Sequence, residues 1–410
     1  MSASPLFLTS PKQLLLDLYK AYKDARRHKR SKQDQLRFER YYERNLIALR
    51  DAILARRYKP GPCKCFIIHD PKMREILAAL FRDRVVHHLL YNYVYKFLEI
   101  QFIRDSYSCI KGRGTHDGIY RMEEKIRQVS CNYSRPCFIL KLDIVGYFMH
   151  IDRKKLLSLC KLMLAQYKDK MDFDLVEYLL ETIITSNPLE GCIRVGAPSE
   201  WNGLPDKKSL FKSPPGKGLP IGNLTSQLFS NVYMDAFDKY MYSISNEQYG
   251  RYVDDAYVVS RSKASLRKII PLAKTFLKEN LDVDLNMDKV AIYSAYRGVE
   301  FLGSYLKPFR KYVSNRCLAR MNKRVVHLNK KKPLDVNNSV NSYLGITSHF
   351  SAYNIRKRWM DGPLAFSFQY GYYRNGVLSY RLYRPYKLHV TNKLLSYARI
   401  GQKSVALVAK

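Results

Sequence analysis

Apolar positions along the chain change period several times, and each change marks an element. From Pro11 to about Tyr58 they recur at helical spacing, as in Leu14, Leu15, Leu18 and Tyr19. Lys59-Pro60-Gly61-Pro62 breaks that pattern and leads into a short predicted strand, Cys65 to Ile68. A second helix is predicted over Arg74 to Glu99, and a third over Lys154 to Thr185. Between these lies a compact apolar strand, Phe138 to Leu142, that runs straight into Asp143. Residues 187–218 are proline-rich and loop-like, and a helix over Asn223 to Met241 follows, with Asn223 as its cap. Tyr252-Val253-Asp254-Asp255, followed by Ala256, Tyr257, Val258 and Val259, predicts a hairpin with the aspartates at its turn. No repeat of fixed period is present.

Composition narrows the class. An apolar fraction of 46% excludes wholesale disorder, and 410 residues suffice for two or three sub-domains. The 71 Lys and Arg outnumber the 36 Asp and Glu, for a formal net charge of +35. Such an excess repels itself unless a polyanion binds it, and nucleic acid is the first candidate. No apolar run is long enough to suggest a membrane span, and the first ten residues lack a basic leader. Eight cysteines without a C-x-x-C pair are expected to be reduced thiols of a cytoplasmic protein. The 33 tyrosines suit packed cores and stacking against bases equally well.

The carboxylates carry the chemistry. Nucleotidyl transfer needs two metal ions about 3.5–4 Å apart, and Mg²⁺ prefers carboxylate oxygen. One aspartate ending a strand and a pair on a neighbouring hairpin could supply the ligands. Adjacent aspartates can also mark an ordinary turn, but apolar flanks make a bare charged pair costly unless cations compensate it.

These residues resemble those of reverse transcriptases. Tyr252-Val253-Asp254-Asp255 is similar to their Tyr-x-Asp-Asp box, and Lys141 to Phe148 to their first catalytic motif. Gly218 to Gln227 resembles the loop and helix beneath the nascent base pair. Lys72 to Ile76, Asp83 to Val86, Ser106 to Cys109 and Gly112 to His116 resemble the fingers of bacterial retroelement enzymes. Asn286 to Lys289 and Phe301-Leu302-Gly303 resemble the last palm motifs. The likeness runs from about Cys65 to Gly303 and more weakly to about Trp359.

The resemblance implies an α+β right-hand polymerase with helical and strand fingers, an antiparallel-sheet palm and a helical thumb. Its expected boundaries are a basic helical region at 1–60, fingers at 61–137 and a palm at 138–305 with inserted segments at about 155–217. A thumb at 306–360 and a Tyr/Arg-rich extension at 361–410 complete it. It implies RNA-dependent DNA synthesis with two Mg²⁺ ions, Mn²⁺ being an alternative. Asp143, Asp254, Asp255 and the backbone carbonyl of Ile144 would be ligands, and Lys289 the general acid. Lys72, Arg74, Tyr147, Phe148, Ile221, Gly222 and Gln227 would bind the nucleotide. Lys72 and Arg74 would clamp the triphosphate, and Phe148 would exclude a 2′-hydroxyl. Arg113, Tyr252, Lys323 and Arg324 would contact nucleic acid.

Departures from the common pattern narrow the branch. Ile221-Gly222 and Ser226-Gln227 stand where many relatives have Gln-Gly and Ser-Pro. Those forms, with Trp201 to Leu204, Lys207 to Leu210 and Asn341 to Gly345, resemble enzymes of diversity-generating retroelements and some antiphage-defence relatives. Met149 and Val145 also depart from the frequent residues, which bears on fine substrate contacts. Implied partners are a structured template RNA, a primer with its cDNA, dNTPs, an accessory protein and a second copy of the chain, but no membrane. Ten Lys and Arg with no acid between Lys307 and Lys332 suit a thumb gripping phosphates. The rival readings are template-independent or RNA-synthesising polymerases of this fold, and a non-catalytic RNA-binding scaffold.

Overall fold

The computed structural model describes residues 8–27, 32–70, 72–328 and 333–365, with two short strands beyond them. Residues 28–31 of the basic region at 1–60, Lys330 to Lys332, and most of the 361–410 extension lie outside the described residues. The chain divides into two compact units, Met1–Tyr293 and Ser294–Lys410.

The first unit opens with α1 (Pro11–Arg26), α2 (Gln33–Glu39) and α3 (Tyr42–Leu54). Ser10 caps α1 by accepting from the Gln13 amide at 3.2 Å, and Pro11 sits at its first turn. Leu14, Leu18, Ala21, Tyr22 and Ala25 form one buried stripe on that helix. It packs on α4 (Phe81–Glu99), which is buried on most sides because it runs through the core. β1 (Cys63–Ile68) and β2 (Arg74–Ala79) precede α4 and pair antiparallel, Cys63 opposite Ala79 and Ile68 opposite Arg74.

The helix predicted from Arg74 therefore starts only at Phe81. Ile76-Leu77-Ala78-Ala79-Leu80 is a short apolar run, whose period cannot separate a strand from a buried helix. The partner strand settles it by taking up one edge of the ladder, and on the other edge the Leu77 amide donates to the Ile221 carbonyl at 2.9 Å. The long helix predicted over Lys154–Thr185 likewise divides. After α5 (Thr115–Val129), β3 (Phe138–Asp143) and α6 (Tyr147–His150), it becomes α7 (Arg153–Ala165) and α8 (Phe173–Thr185). Asp172 starts α8 by accepting from Leu175 at 3.0 Å, and its other oxygen accepts from Thr9 at 2.8 Å.

β4 (Ile193–Arg194) joins β1 in parallel, and then come α9 (Leu224–Ile244), β5 (Tyr249–Tyr252), β6 (Asp255–Ser260), α10 (Lys263–Leu281) and β7 (Ala291–Ser294). The central sheet has the order β5-β6-β3-β7. Helices α9 and α10 pack against it, with α5 alongside β5 and β6. One large core joins α9 and α10 with α1, α3, α4, α7 and α8. This is the mixed helix and antiparallel-sheet architecture of a right-hand polymerase. All described cysteines are free thiols, and no described helix is long and apolar enough to cross a membrane.

His87 fastens α4 to α9. Its Nδ1 lies 2.7 Å from Thr225 Oγ1, and burial pushes its pKa down to about 4. The folded chain thus keeps His87 neutral while the unfolded chain protonates it near 6.5. Stability is expected to fall as pH drops from about 6.5 to about 4, by about 3 kcal/mol in total. Urea midpoints at pH 7.5 and 5 test this; His87→Gln should flatten the dependence, and parallel slopes would assign it elsewhere.

The second unit carries β8 (Val299–Phe301), β9 (Ser304–Lys307) and β10 (Arg310–Val313) as an antiparallel sheet. α11 (Asn315–Leu328), α12 (Pro333–Ser348) and α13 (Tyr353–Asp361) follow, and then β11 (Tyr372–Tyr373) pairs with β12 (Leu382–Tyr383). Its own core includes Met321, Val325, Leu328, Val340, Leu344 and Trp359. Lys323 and Arg324 stand on the exposed face of α11.

Candidate active site

Register places the carboxylates. β3 and β6 pair so that Asp143 stands opposite Asp255, and β5 pairs with β6 so that Tyr252 also stands opposite Asp255. Val253 and Asp254 are then the two turn residues at the same end of the sheet. Burial, then the charge of Asp143, raises the Asp254 carboxyl above its ordinary value, against Lys289 and Arg74. Burial raises Asp255 as well; Lys141 opposes it, and Asp254 and Asp143 add to the rise.

Lysines face the outer two acids. Lys289 Nζ lies 2.8 Å from both oxygens of Asp143, and Lys141 Nζ lies 3.1 Å from Asp255. Asn286 fastens the turn carrying Lys289 to the end of β3: its amide donates to the Asp143 carbonyl at 2.7 Å and its Nδ2 to Asp143 Oδ1 at 3.0 Å. Ile144 is buried beside them in a bridge to Leu285. Among the described residues no three acids, cysteines or histidines converge closely enough to grip a metal ion. The donor chemistry nonetheless fits a hard divalent cation. The three groups offer only oxygen, and their mutual repulsion in a half-buried site calls for added positive charge.

The turn itself is under constraint. Val253 has φ +59°, a left-handed conformation unusual for a β-branched residue. Arg251 holds it there. Its guanidinium, fully buried, binds both oxygens of Asp238 on α9 at 2.6 Å, while Nη1 donates to the Val253 carbonyl at 2.7 Å. Its backbone accepts from Tyr107 at 3.0 Å and donates to Asp105 at 2.9 Å, tying the 105–107 segment to the hairpin.

Arg251 was not among the expected site residues. The available signal was a charge within each of two largely apolar segments, Arg251 in β5 and Asp238 in α9. Lys141 and Glu75 were equally unassigned.

The other expected residues sort by position. Arg74 begins β2 with its side chain exposed, as is that of Lys72, and the Arg74 charge reaches Asp254. Gly222 is exposed with φ +131°, and an added Cβ would press on Ile76 and the Leu77 backbone. Ile221 is half-buried against the small core beneath β1 and β2. Phe148 is half-buried and edge-on to Tyr147, with ring centroids 5.4 Å apart. Tyr147 itself turns into the core, where its hydroxyl donates to the Ser230 carbonyl. Gln227 is exposed near the start of α9, and Tyr252 is half-buried at the end of β5. Arg113 Nη1 donates to the backbone carbonyls of Ile103, Arg104 and Ser106, so that nitrogen braces its own loop.

Comparison with known proteins finds a family match. The family described as "Reverse transcriptase (RNA-dependent DNA polymerase)" matches residues 68–306, more than half of the chain. Protein YkfC of Escherichia coli (strain K12) is 25% identical over 296 residues, covering 64% of this chain and 71% of that protein. Among solved structures, apo telomerase from Candida tropicalis is 11% identical with a TM-score of 0.44, over 76% of this chain and 59% of that one. Candida albicans telomerase with a TWJ fragment of telomeric RNA is 10% identical with a TM-score of 0.45, over 77% and 56%. The chain thus spans less than two thirds of either telomerase chain.

Proposed function

Since the chain belongs to the reverse transcriptase (RNA-dependent DNA polymerase) family, we propose that it copies RNA into cDNA by two-metal nucleotidyl transfer at Asp143, Asp254 and Asp255. The observation that carries the reading is the register that brings Asp143 and Asp255 face to face, with Asp254 beside them on the turn between β5 and β6. Reverse transcriptase domains use divalent metal ions, and we assign two Mg²⁺, with Mn²⁺ as an alternative. The bound ions would activate the primer 3′-hydroxyl and hold the triphosphate.

The chain's own groups do the rest. Arg74 at the start of β2, whose charge reaches Asp254, and Lys72 two residues before it would offset charge on the phosphates. Gly222 would let backbone approach the nucleotide, and Ile221 and Gln227 would border that pocket. Lys289 Nζ, now on Asp143, would deliver a proton to the leaving pyrophosphate oxygen. The Ile144 carbonyl would complete the ligand set. Tyr147 would act from beneath, by supporting Phe148. Tyr252, Arg113, Lys323 and Arg324 would contact template and primer.

Phe148 would close the pocket against a 2′-hydroxyl. Phe148→Ala is expected to lower the preference for dNTPs over rNTPs, as a kcat/KM ratio, by about one to two orders of magnitude, the worth of removing a steric clash. Single-nucleotide incorporation measures it, and an unchanged ratio would place discrimination elsewhere.

The setting we favour is a retroelement that copies a dedicated template RNA with an accessory protein. The support is the Gly222 to Gln227 pattern with isoleucine at position 221. The same pattern supports antiphage defence directed by a structured RNA. Incorporation of labelled dNTPs by purified protein with its co-purifying RNA and Mg²⁺ tests the activity. Product formation abolished by RNase is the expected result. RNase-resistant synthesis would favour template-independent addition, and none at all, with RNA and partners supplied, a scaffold.

A further inference from the structure

The segment 187–218, proline-rich and loop-like in sequence, is built onto the fingers sheet. β4 extends β1, and the Val195 amide donates to the Cys65 carbonyl at 2.8 Å. Its strongest fastening is Glu75, a fully buried carboxylate next to Arg74. Glu75 accepts from Trp201 Nε1 at 3.0 Å, Ser209 Oγ at 3.0 Å and the Leu210 amide at 2.7 Å. On the other side the Lys207 carbonyl lies against Gly146, where φ is +48° and a Cβ would overlap it. Lys208 is therefore held between a residue latched beside Arg74 and a residue seated on the turn after Asp143.

We propose that Lys208 is a further triphosphate-contacting residue, and that Glu75 is the positioning residue that presents it. The proposal rests on the polymerase reading above. The Lys208 side chain is exposed. Partial burial, and then the charges of Lys72, Lys289, Arg74 and Lys207, hold its ammonium below the ordinary lysine value. Four cations thus crowd Lys208 from both the β2 side and the Asp143 side. Such crowding is unfavourable by itself and becomes favourable around a polyanion, which a nucleoside triphosphate supplies. Each ammonium–phosphate contact adds binding without needing to change the chemical step.

The test is steady-state incorporation on an RNA template with a DNA primer and Mg²⁺. Lys208→Gln is expected to raise KM for dNTP by about tenfold, the worth of one charge-assisted hydrogen bond, with kcat nearly unchanged. Lys208→Arg should recover most of the loss, and Lys212→Gln, an exposed lysine on the same segment, should leave KM at the wild-type value. Glu75→Gln should raise KM too, and Glu75→Gln/Lys208→Gln should be no worse than Lys208→Gln alone. Wild-type KM in Lys208→Gln, or an equal rise in Lys212→Gln, would overturn the inference while wild-type synthesis upheld the polymerase. Loss of wild-type synthesis itself would instead bring down the polymerase reading and this inference with it.

Discussion

Replacing Asp254 and Asp255 together by alanine is expected to reduce RNA-templated dNTP incorporation by about 10³-fold or more, as loss of a metal-centred electrostatic clamp does. The fold should survive. Both carboxyls are raised above their ordinary values by burial and by repulsion within the trio, so their removal relieves an unfavourable contact. The melting temperature without divalent ions should stay level or rise. Wild-type protein should gain stability on adding Mn²⁺, because an ion that binds only the native state shifts unfolding by mass action. The double variant should lose most of that gain. Incorporation within tenfold of wild type, by primer extension with matched protein, would remove these residues from the chemistry.

The second large effect concerns Arg251, which touches no substrate in this reading. Arg251→Met should destabilise the chain by about 3–5 kcal/mol, the cost of leaving one partner of a buried ion pair unpaired. Asp238 has few alternatives, for its other bonding partner is Tyr249, whose own hydroxyl donates to the same carboxylate at 2.8 Å. Replacing both Arg251 and Asp238 by apolar residues should recover much of the stability. It should not recover incorporation, because the Val253 carbonyl would lose the donor that holds the turn at positive φ. Urea unfolding and primer extension on the single and double variants separate the two roles. A double variant with full activity would show that the hairpin needs no such brace.

Both predictions depend on features that differed in how well the sequence displayed them. The aspartates were visible because charge at the ends of apolar strands is costly, so that its presence asks for a reason. Their pairing partner on β3 was visible too, since Phe138 to Leu142 has room for nothing but a short strand. Arg251 and Asp238 carried the same kind of signal, but a lone charge in a strand and another in a helix do not announce each other. Only their 2.6 Å contacts make them one network.

Glu75 illustrates a further limit. In the sequence it sits between Arg74 and Ile76, inside a segment that reads as the start of a helix. Its role depends on Trp201, Ser209 and Leu210, more than a hundred residues away, and no local pattern encodes that. Tyr147 is the opposite case. Its place one residue before Phe148 put it in the expected pocket, yet adjacent residues of a helix point in different directions, and the core claimed its ring.

The sequence by itself determined the order of the parts: which strands end in acids, where the hairpin turns, and how strongly basic the chain is. Such properties are local, because they follow from residue type and period. The tertiary structure alone decided which cations face which acids, which strand Arg74 begins, and which loop brings Lys208 between them. Those are contacts between distant segments, set by register and by the burial of groups that must find partners, and they exist only once the chain has closed on itself.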